Sequence, residues 1–244
     1  MEFVASGSQA DIYKNDYMAI KLFKKQVPKS YVEYEMNLQK MAFELRLPVP
    51  EIYNIVEIEG KHGIVMEYIN GVSVGELIFK NQENMQKYLI KSIEIQMQIN
   101  NIITDKFPLM KDKLIRQIIS TKELNDADKD KILKKLNNML FESKLCHGDF
   151  HLFNLLETSK DIKVIDWVDS SSGSVEADIC RTYLLYKIIN EVLAEIYIEN
   201  YCKISGVSKE NIMNWLPYIA AARLSEGRDD KENKMLKDIV NEIL

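Results

Sequence analysis

The spacing of apolar residues divides the chain into two kinds of segment. Near the start, short strand-like runs are separated by turn-forming residues. Ser8 to Tyr13 and Tyr17 to Phe23 flank Lys14-Asn15-Asp16 and predict a hairpin. Ser30 followed by Glu33 has capping-box spacing, which predicts a helix running to about Arg46 and stopped by Pro48 and Pro50. Two more strands are expected over Glu51 to Ile58 and Gly63 to Ile69, around Glu59-Gly60-Lys61. Beyond Gly71 the pattern changes. Ser73 and Glu76 repeat the capping spacing, and helical periodicity predicts helices over Gln82 to Ile103, Leu109 to Thr121 and Asp126 to Glu142. A strand-rich island, Leu155-Leu156 and Ile162 to Trp167 around Ser159-Lys160-Asp161, precedes a return to helix from Asp178 to the end. The expected fold class is α+β. A small antiparallel-sheet N-lobe with one helix covers 1–68, a larger helical C-lobe covers 69–244, and a hinge lies at about 67–71.

Composition narrows the picture only a little. With 244 residues, 46% of them apolar and 28% charged, the chain reads as an ordinary globular enzyme. Its formal net charge of −5 argues against a general nucleic-acid surface. Cys146, Cys180 and Cys202 show no CxxC spacing and read as reduced thiols of a cytoplasmic protein. The start, MEFVASGSQ, has no basic stretch before an apolar run, so no signal peptide is expected. The apolar stretch Tyr183 to Ile198 is cut by Lys187, Glu191 and Glu195, so no membrane span is expected either.

The candidate chemistry lies in Cys146-His147-Gly148-Asp149-Phe150-His151-Leu152-Phe153-Asn154 and in Val164-Ile165-Asp166-Trp167. Phosphoryl transfer from ATP needs a group to orient and deprotonate a hydroxyl, and oxygen ligands for Mg²⁺. A carboxylate, an amide five positions on, and a carboxylate closing a nearby strand supply all three. The plainer reading of Asp149 is a turn aspartate, which the presence of Asn154 and Asp166 disfavours. His147, Asp149 and His151 also form an H-x-D-x-H triplet suggestive of a metallohydrolase. The only other histidine, His62, falls in a predicted N-lobe turn, so that reading is set aside.

These residues resemble the catalytic loop of aminoglycoside phosphotransferases and choline kinases, relatives of the protein kinases, with its H-G-D-x-x-x-x-N pattern followed by I-D. The resemblance implies a bilobal protein-kinase-like fold, Asp149 as catalytic base, and Asn154 and Asp166 as Mg²⁺ ligands. It implies ATP as donor, with GTP left open, and a small-molecule hydroxyl acceptor of aminoglycoside, sugar or amino alcohol class. Leu152-Phe153 departs from the Pro-Gly found in many members. Lys21, in Met18-Ala19-Ile20-Lys21-Leu22-Phe23, resembles the strand lysine that holds the α/β-phosphates. Its expected partner is Glu35, which shares a helical stripe with Leu38, Ala42 and Leu45 and so needs a countercharge. Glu33 lies on a solvated face. Ser8, Gln9 and Ala10 would form the nucleotide-covering loop, and main-chain groups at Glu67 and Ile69 would read adenine. Asp178 would brace the catalytic loop and His147 would stabilise it, while Asp169, close enough to Asp166 to be a spare metal ligand, reads rather as an exposed loop carboxylate.

Two other functions compete. A protein kinase would place a long peptide-holding segment after the metal-binding aspartate, yet only Trp167 to Ala177 separates Asp166 from Asp178, with no A-P-E motif. A non-catalytic pseudokinase would lack a catalytic part, and none is missing. The acceptor is expected beside Asp149, against the helices after Asp178. Glu191, Glu195, Glu199, Glu226, Asp229 and Asp230 there could attract a cation, although a solvated helix face is the reading preferred. No nucleic-acid or membrane partner is expected.

Overall fold

The computed structural model describes all residues, 1–244. The chain forms two compact units that interleave in sequence, 1–85 with 152–169, and 86–151 with 170–244. Three crossings join them, after Met85, His151 and Asp169.

The first unit is built on a five-stranded antiparallel sheet of β1 (Glu2–Ser6), β2 (Ala10–Asn15), β3 (Met18–Phe23), β4 (Ile52–Ile58) and β5 (Lys61–Glu67), in the order β1-β2-β3-β5-β4. Alternation gives the sheet two faces. Ile20, Leu22 and Val65 pack together on one, whereas Phe23, Ile52 and Ile64 on the other pack against Val32 of helix α1 (Lys29–Glu44). Lys21 alternates with Ile20 and Leu22, and therefore shares the helix-covered face with Phe23. The β4–β5 turn is a two-residue loop whose Glu59 and Gly60 both have positive φ, 51° and 72°, as a tight hairpin requires.

The Ser30–Glu33 capping box does not form. Pro28 is the N-cap of α1 and no side chain caps the helix. The amides of Tyr31 and Val32 donate to the Pro28 carbonyl at 3.0 and 3.4 Å, so the fixed φ of proline sets the start. Ser30 lies inside the helix, and Glu33 pairs with exposed Lys29 at 3.4 Å. The second capping signal holds. Ser73 Oγ accepts from the Glu76 amide at 3.2 Å at the start of α2 (Val74–Lys80), just after β6 (Val72–Ser73).

The strand-rich island belongs to this unit, because β8 (Leu155–Glu157) and β9 (Ile162–Val164) join β6 in the order β6-β8-β9. The amide of Val164 also donates to the Pro48 carbonyl at 2.7 Å. Strand pairing thus brings this later stretch of chain into the first unit.

The second unit is helical: α3 (Met85–Asn100), α4 (Met110–Ser120), α5 (Asp126–Leu136), α6 (Val175–Ile189), α7 (Glu191–Ser205), α8 (Lys209–Met213), α9 (Leu216–Arg223) and α10 (Asp230–Asn241). Strands β7 (Lys144–Cys146) and β10 (Ser171–Gly173) pair antiparallel within it. Its core includes the fully buried Leu89, Ile93, Ile118, Ile132, Ile179, Leu184 and Tyr197. The apolar run Tyr183 to Ile198 is two helices, since Asn190 ends α6 and caps α7 by accepting from the Leu193 amide at 3.2 Å. No helix is long and apolar enough to cross a membrane.

Candidate active site

The His-Gly-Asp segment leaves β7 at Cys146 and turns sharply at Gly148, where φ is 79°. That left-handed conformation suits a residue without Cβ. Asp178, 1% exposed on α6, accepts from the Gly148 amide at 2.8 Å through Oδ1. Its Oδ2 accepts from Asn100 Nδ2 at 3.0 Å and Gln96 Nε2 at 3.3 Å. A buried carboxylate held by three donors is a firm brace for the loop. His147 is fully buried, and its Nδ1 accepts from the Asp149 amide at 3.3 Å. The imidazole thus organises the turn.

Asp149 has a polar partner for each oxygen. His151 Nε2 lies 3.4 Å from Oδ2 and Arg181 Nη2 lies 3.8 Å from Oδ1. Burial alone would raise this carboxyl. The hydrogen bond and charge of His151, with the Arg181 guanidinium adding, outweigh burial and hold it well below the usual carboxylate range. Asp149 therefore stays charged and directed at neutral pH.

In the first unit, Lys21 Nζ makes an ion pair with Glu35 Oε1 and reaches Asp166 Oδ1 at 3.3 Å. Residues from β3, α1 and the connection just after β9 meet here, 145 positions apart in the longest pairing. Burial would lower the Lys21 pKa, but the charges of Asp166 and Glu35 outweigh it and raise the value above that of an ordinary lysine. Asp166 takes a φ of 65°, a conformation that costs a non-glycine residue about 1–3 kcal/mol. Tyr31 was not legible as a site residue. Burial, with the Glu35 charge adding, pushes its phenol up to about 12.

Asn154 is 8% exposed in the helical turn Leu152–Asn154, and its carbonyl accepts from the Ile165 amide at 3.0 Å. The main chain of one expected metal ligand, Asn154, is thus hydrogen-bonded to Ile165, the residue just before the other, Asp166. An amide oxygen and a carboxylate are hard donors, and a pair of protein ligands suits Mg²⁺, which keeps waters and phosphate oxygens for its other positions. These residues fit the group. The five-residue step from Asp149 to Asn154 passes from one unit to the other.

Ser8 and Gln9 lie in the β1–β2 connection, and Ala10 begins β2. The Gly7 amide donates to the Ala10 carbonyl, and the Lys24 amide to the Gln9 carbonyl, both at 2.8 Å. Ser8 and Gln9 line a cavity of about 280 Å³ with Gln26, Val27, Pro28 and Tyr31. Glu67 ends β5. Its amide donates to the Glu51 carbonyl at 2.8 Å, and the Tyr68 amide donates to the Tyr17 carbonyl at 2.9 Å. Both amides are committed within the sheet, so a base approaching Glu67 would meet its carbonyl. Ile69 follows, its carbonyl accepting from the Gly71 amide at 3.0 Å.

Sequence reasoning also missed an arginine–glutamate network in the second unit. Arg181 Nη2 donates to Glu226 Oε1 at 2.7 Å. Glu226 Oε2 accepts from Arg223 Nη1 at 3.0 Å and Arg228 Nη2 at 2.9 Å, while Arg223 Nε donates to Glu232 Oε1 at 2.6 Å. The one available signal was the spacing of Asp178 and Arg181, three apart on a helix.

A sheet lysine paired with a helix glutamate, and a braced His-Gly-Asp loop on a helical unit, define a phosphotransferase of protein-kinase-like fold. Residues 3–212 match the phosphotransferase enzyme family (APH), and the chain belongs to that family. Among solved structures it resembles a thermostable mutant of aminoglycoside phosphotransferase APH(4)-Ia in ternary complex with ADP and hygromycin B. The TM-score is 0.72 at 12% identity, over 99% of this chain and 92% of the other. Choline kinase LicA from Streptococcus pneumoniae gives a TM-score of 0.65 at 16% identity, over 99% of this chain and 95% of the other. By sequence, the chain is 24% identical to EKC/KEOPS complex subunit bud32 of Dictyostelium discoideum over 232 residues, 84% of this chain and 76% of that protein.

Proposed function

We propose that this chain transfers the γ-phosphate of ATP to a hydroxyl of a small molecule, with Asp149 as base. The observation that carries the reading is the Lys21–Glu35–Asp166 cluster, which gathers residues from three separate segments of the first unit. In this reading Glu35 steers the Lys21 ammonium toward the α/β-phosphates. The β1–β2 connection at Ser8, Gln9 and Ala10 covers the phosphates, and the Glu67 carbonyl and Ile69 main chain meet the purine. Asn154 and Asp166 hold Mg²⁺, which when bound offsets phosphate charge. Asp149 takes the acceptor proton, and Asp178 with His147 keeps the loop in shape. The segments 1–68 and 69–244 then act as nucleotide and acceptor lobes about a hinge near 67–71. The ADP and hygromycin B bound by the aminoglycoside phosphotransferase support a nucleotide donor and a small hydroxylated acceptor.

The likeness to the bud32 subunit favours a second reading, a protein kinase. Against it stands the segment after Asp169. Ser170, Ser171, Ser172 and Ser174 are at most 3% exposed, and β10 is paired with β7. That main chain is engaged internally and not laid open to a peptide.

The test is a panel of aminoglycosides, sugars and amino alcohols, with protein substrates alongside, each run with ATP and GTP. ADP or GDP release is measured and the new phosphate ester is located by NMR. Asp149→Ala should lower kcat by about 10²–10⁴ while changing nucleotide affinity far less. Unchanged turnover in that variant would remove Asp149 from the role. Phosphate appearing on protein alone would favour the second reading.

A further inference from the structure

We propose that Arg181, clamped by Glu226, is a positioning residue for the Asp149 carboxylate; the proposal rests on the phosphotransfer reading above. Asp178 and Arg181 lie three apart on α6 and so share one face of it. The first accepts from the Gly148 amide at 2.8 Å, and the second faces Asp149 Oδ1 at 3.8 Å. One turn of helix thereby sets both the main chain of the loop and the direction of its next side chain.

The distances rank the partners of Arg181. Its 2.7 Å contact to Glu226 Oε1 is a charge-assisted hydrogen bond, whereas 3.8 Å to Asp149 Oδ1 is too long for one. Glu226 therefore holds the guanidinium back. From that distance Arg181 acts on the carboxylate by charge and direction. On the other side, His151 Nε2 stands 3.4 Å from Oδ2, so the carboxylate is set between two groups.

The clamp is itself anchored. Glu226 closes the short turn after α9, before Gly227 at a φ of 65°, and takes Arg223 and Arg228 on its second oxygen. Arg223, 5% exposed, is fixed in turn by Glu232. Three arginines face Asp149, Glu226 and Glu232, so the network is charge-balanced, with Arg228 at its exposed edge.

The experiment compares Arg181→Met, Arg181→Lys, Glu226→Gln and the Met/Gln double variant, each checked by thermal melt. Arg181→Met should lower kcat about 10–100-fold and leave KM for ATP within about twofold. Arg181→Lys should recover part of the rate. Glu226→Gln should lower kcat as the guanidinium closes on Asp149, and the double variant should be no worse than Arg181→Met alone. A second readout is independent of turnover. The ¹³C titration of the Asp149 side chain, followed with His147 and His151 of the same loop, should move to higher pH in Arg181→Met. If the wild type transfers phosphate while Arg181→Met keeps its full kcat, or if the two single losses multiply, the positioning role is overturned. If the wild type phosphorylates no hydroxyl, the phosphotransfer reading falls. The titration then decides the Arg181–Asp149 coupling alone, and an unmoved midpoint overturns it.

Discussion

Replacing Glu35 by Gln tests whether the Lys21–Glu35 pair serves nucleotide handling or merely fills the sheet–helix interface. Glu35 is 4% exposed and the Lys21 side chain 19%. Two unit charges at hydrogen-bond distance attract by roughly 5 kcal/mol at an effective dielectric constant of about 20. Gln removes that attraction, and with it the several kcal/mol needed to keep a carboxylate out of water. Gln also keeps an oxygen for the Lys21 ammonium, and Lys21 keeps Asp166 at 3.3 Å. The large terms oppose each other, leaving a net loss of about 1–3 kcal/mol. At roughly 2–4 °C per kcal/mol for a chain of this size, Tm should fall by about 2–12 °C.

Nucleotide handling should suffer more selectively. Without Glu35 the ammonium is drawn to Asp166 alone, and a loss of about 1–2 kcal/mol in phosphate contact raises KM for ATP by about 5–30-fold. Steady-state kinetics with ATP varied, alongside thermal melts, measure both. The double variant Lys21→Met/Glu35→Leu supplies the control. Apolar residues of similar volume often replace a buried ion pair without loss of stability, and position 35 lies among Val32, Leu38 and Ala42 on the buried face of α1. That variant should melt within a few degrees of wild type, by the same principle, and transfer no phosphate. A Glu35→Gln enzyme with unaltered KM for ATP, or an active double variant, would refute the reasoning.

Two further outcomes are expected. Asp166→Ala should raise the Mg²⁺ concentration for half-maximal rate by at least about 10–100-fold, and an unchanged Mg²⁺ titration would count against its role as ligand. The lowered Asp149 pKa fixes the sign of a pH effect. Its stabilising contribution is present above the ordinary carboxylate value of about 3.9 and is lost as pH falls through the lower folded-state value. No acid limb of the rate should therefore come from Asp149 above about pH 4. An Asp149 carboxyl seen by NMR to titrate above about pH 5 would show that assignment to be mistaken.

The fold was legible where local pattern and tertiary pairing agree. The β2–β3 and β4–β5 hairpins, α1 and the Ser73–Glu76 cap needed only neighbours close in sequence. The longest strand missed was β1, whose Glu2–Ser6 run is exposed throughout and held by pairing with β2, and the two- or three-residue strands β6, β7 and β10 were missed with it. The Ser30–Glu33 spacing misled because Pro28, two residues earlier, fixes the helix start by backbone geometry. The helix expected over Asp126 to Glu142 stops at Leu136, and the one expected from Gln82 starts at Met85 after a short helical turn.

Within the site, the Lys21–Glu35 pair could be read because a carboxylate on an apolar stripe demands a countercharge. No such demand pointed to Arg181 and Glu226, since an arginine and a glutamate on helices read as solvated until they are found 14% and 19% exposed and 2.7 Å apart. The same lesson applies to the other acidic residues after Asp178. Glu195 accepts from Lys209 and from Tyr183, each at 2.7 Å, Glu191 pairs with Lys187, and Asp229 caps α10 by accepting from the Glu232 amide at 2.8 Å. Carboxylates so engaged offer a cation much less than their number suggests. On the proposed reading, selection of the acceptor would rest more on shape and hydrogen bonding around Asp149, Arg181 and Glu226 than on the number of acidic residues nearby. Neutral sugars and amino alcohols accordingly belong in the acceptor panel on equal terms with polycationic antibiotics.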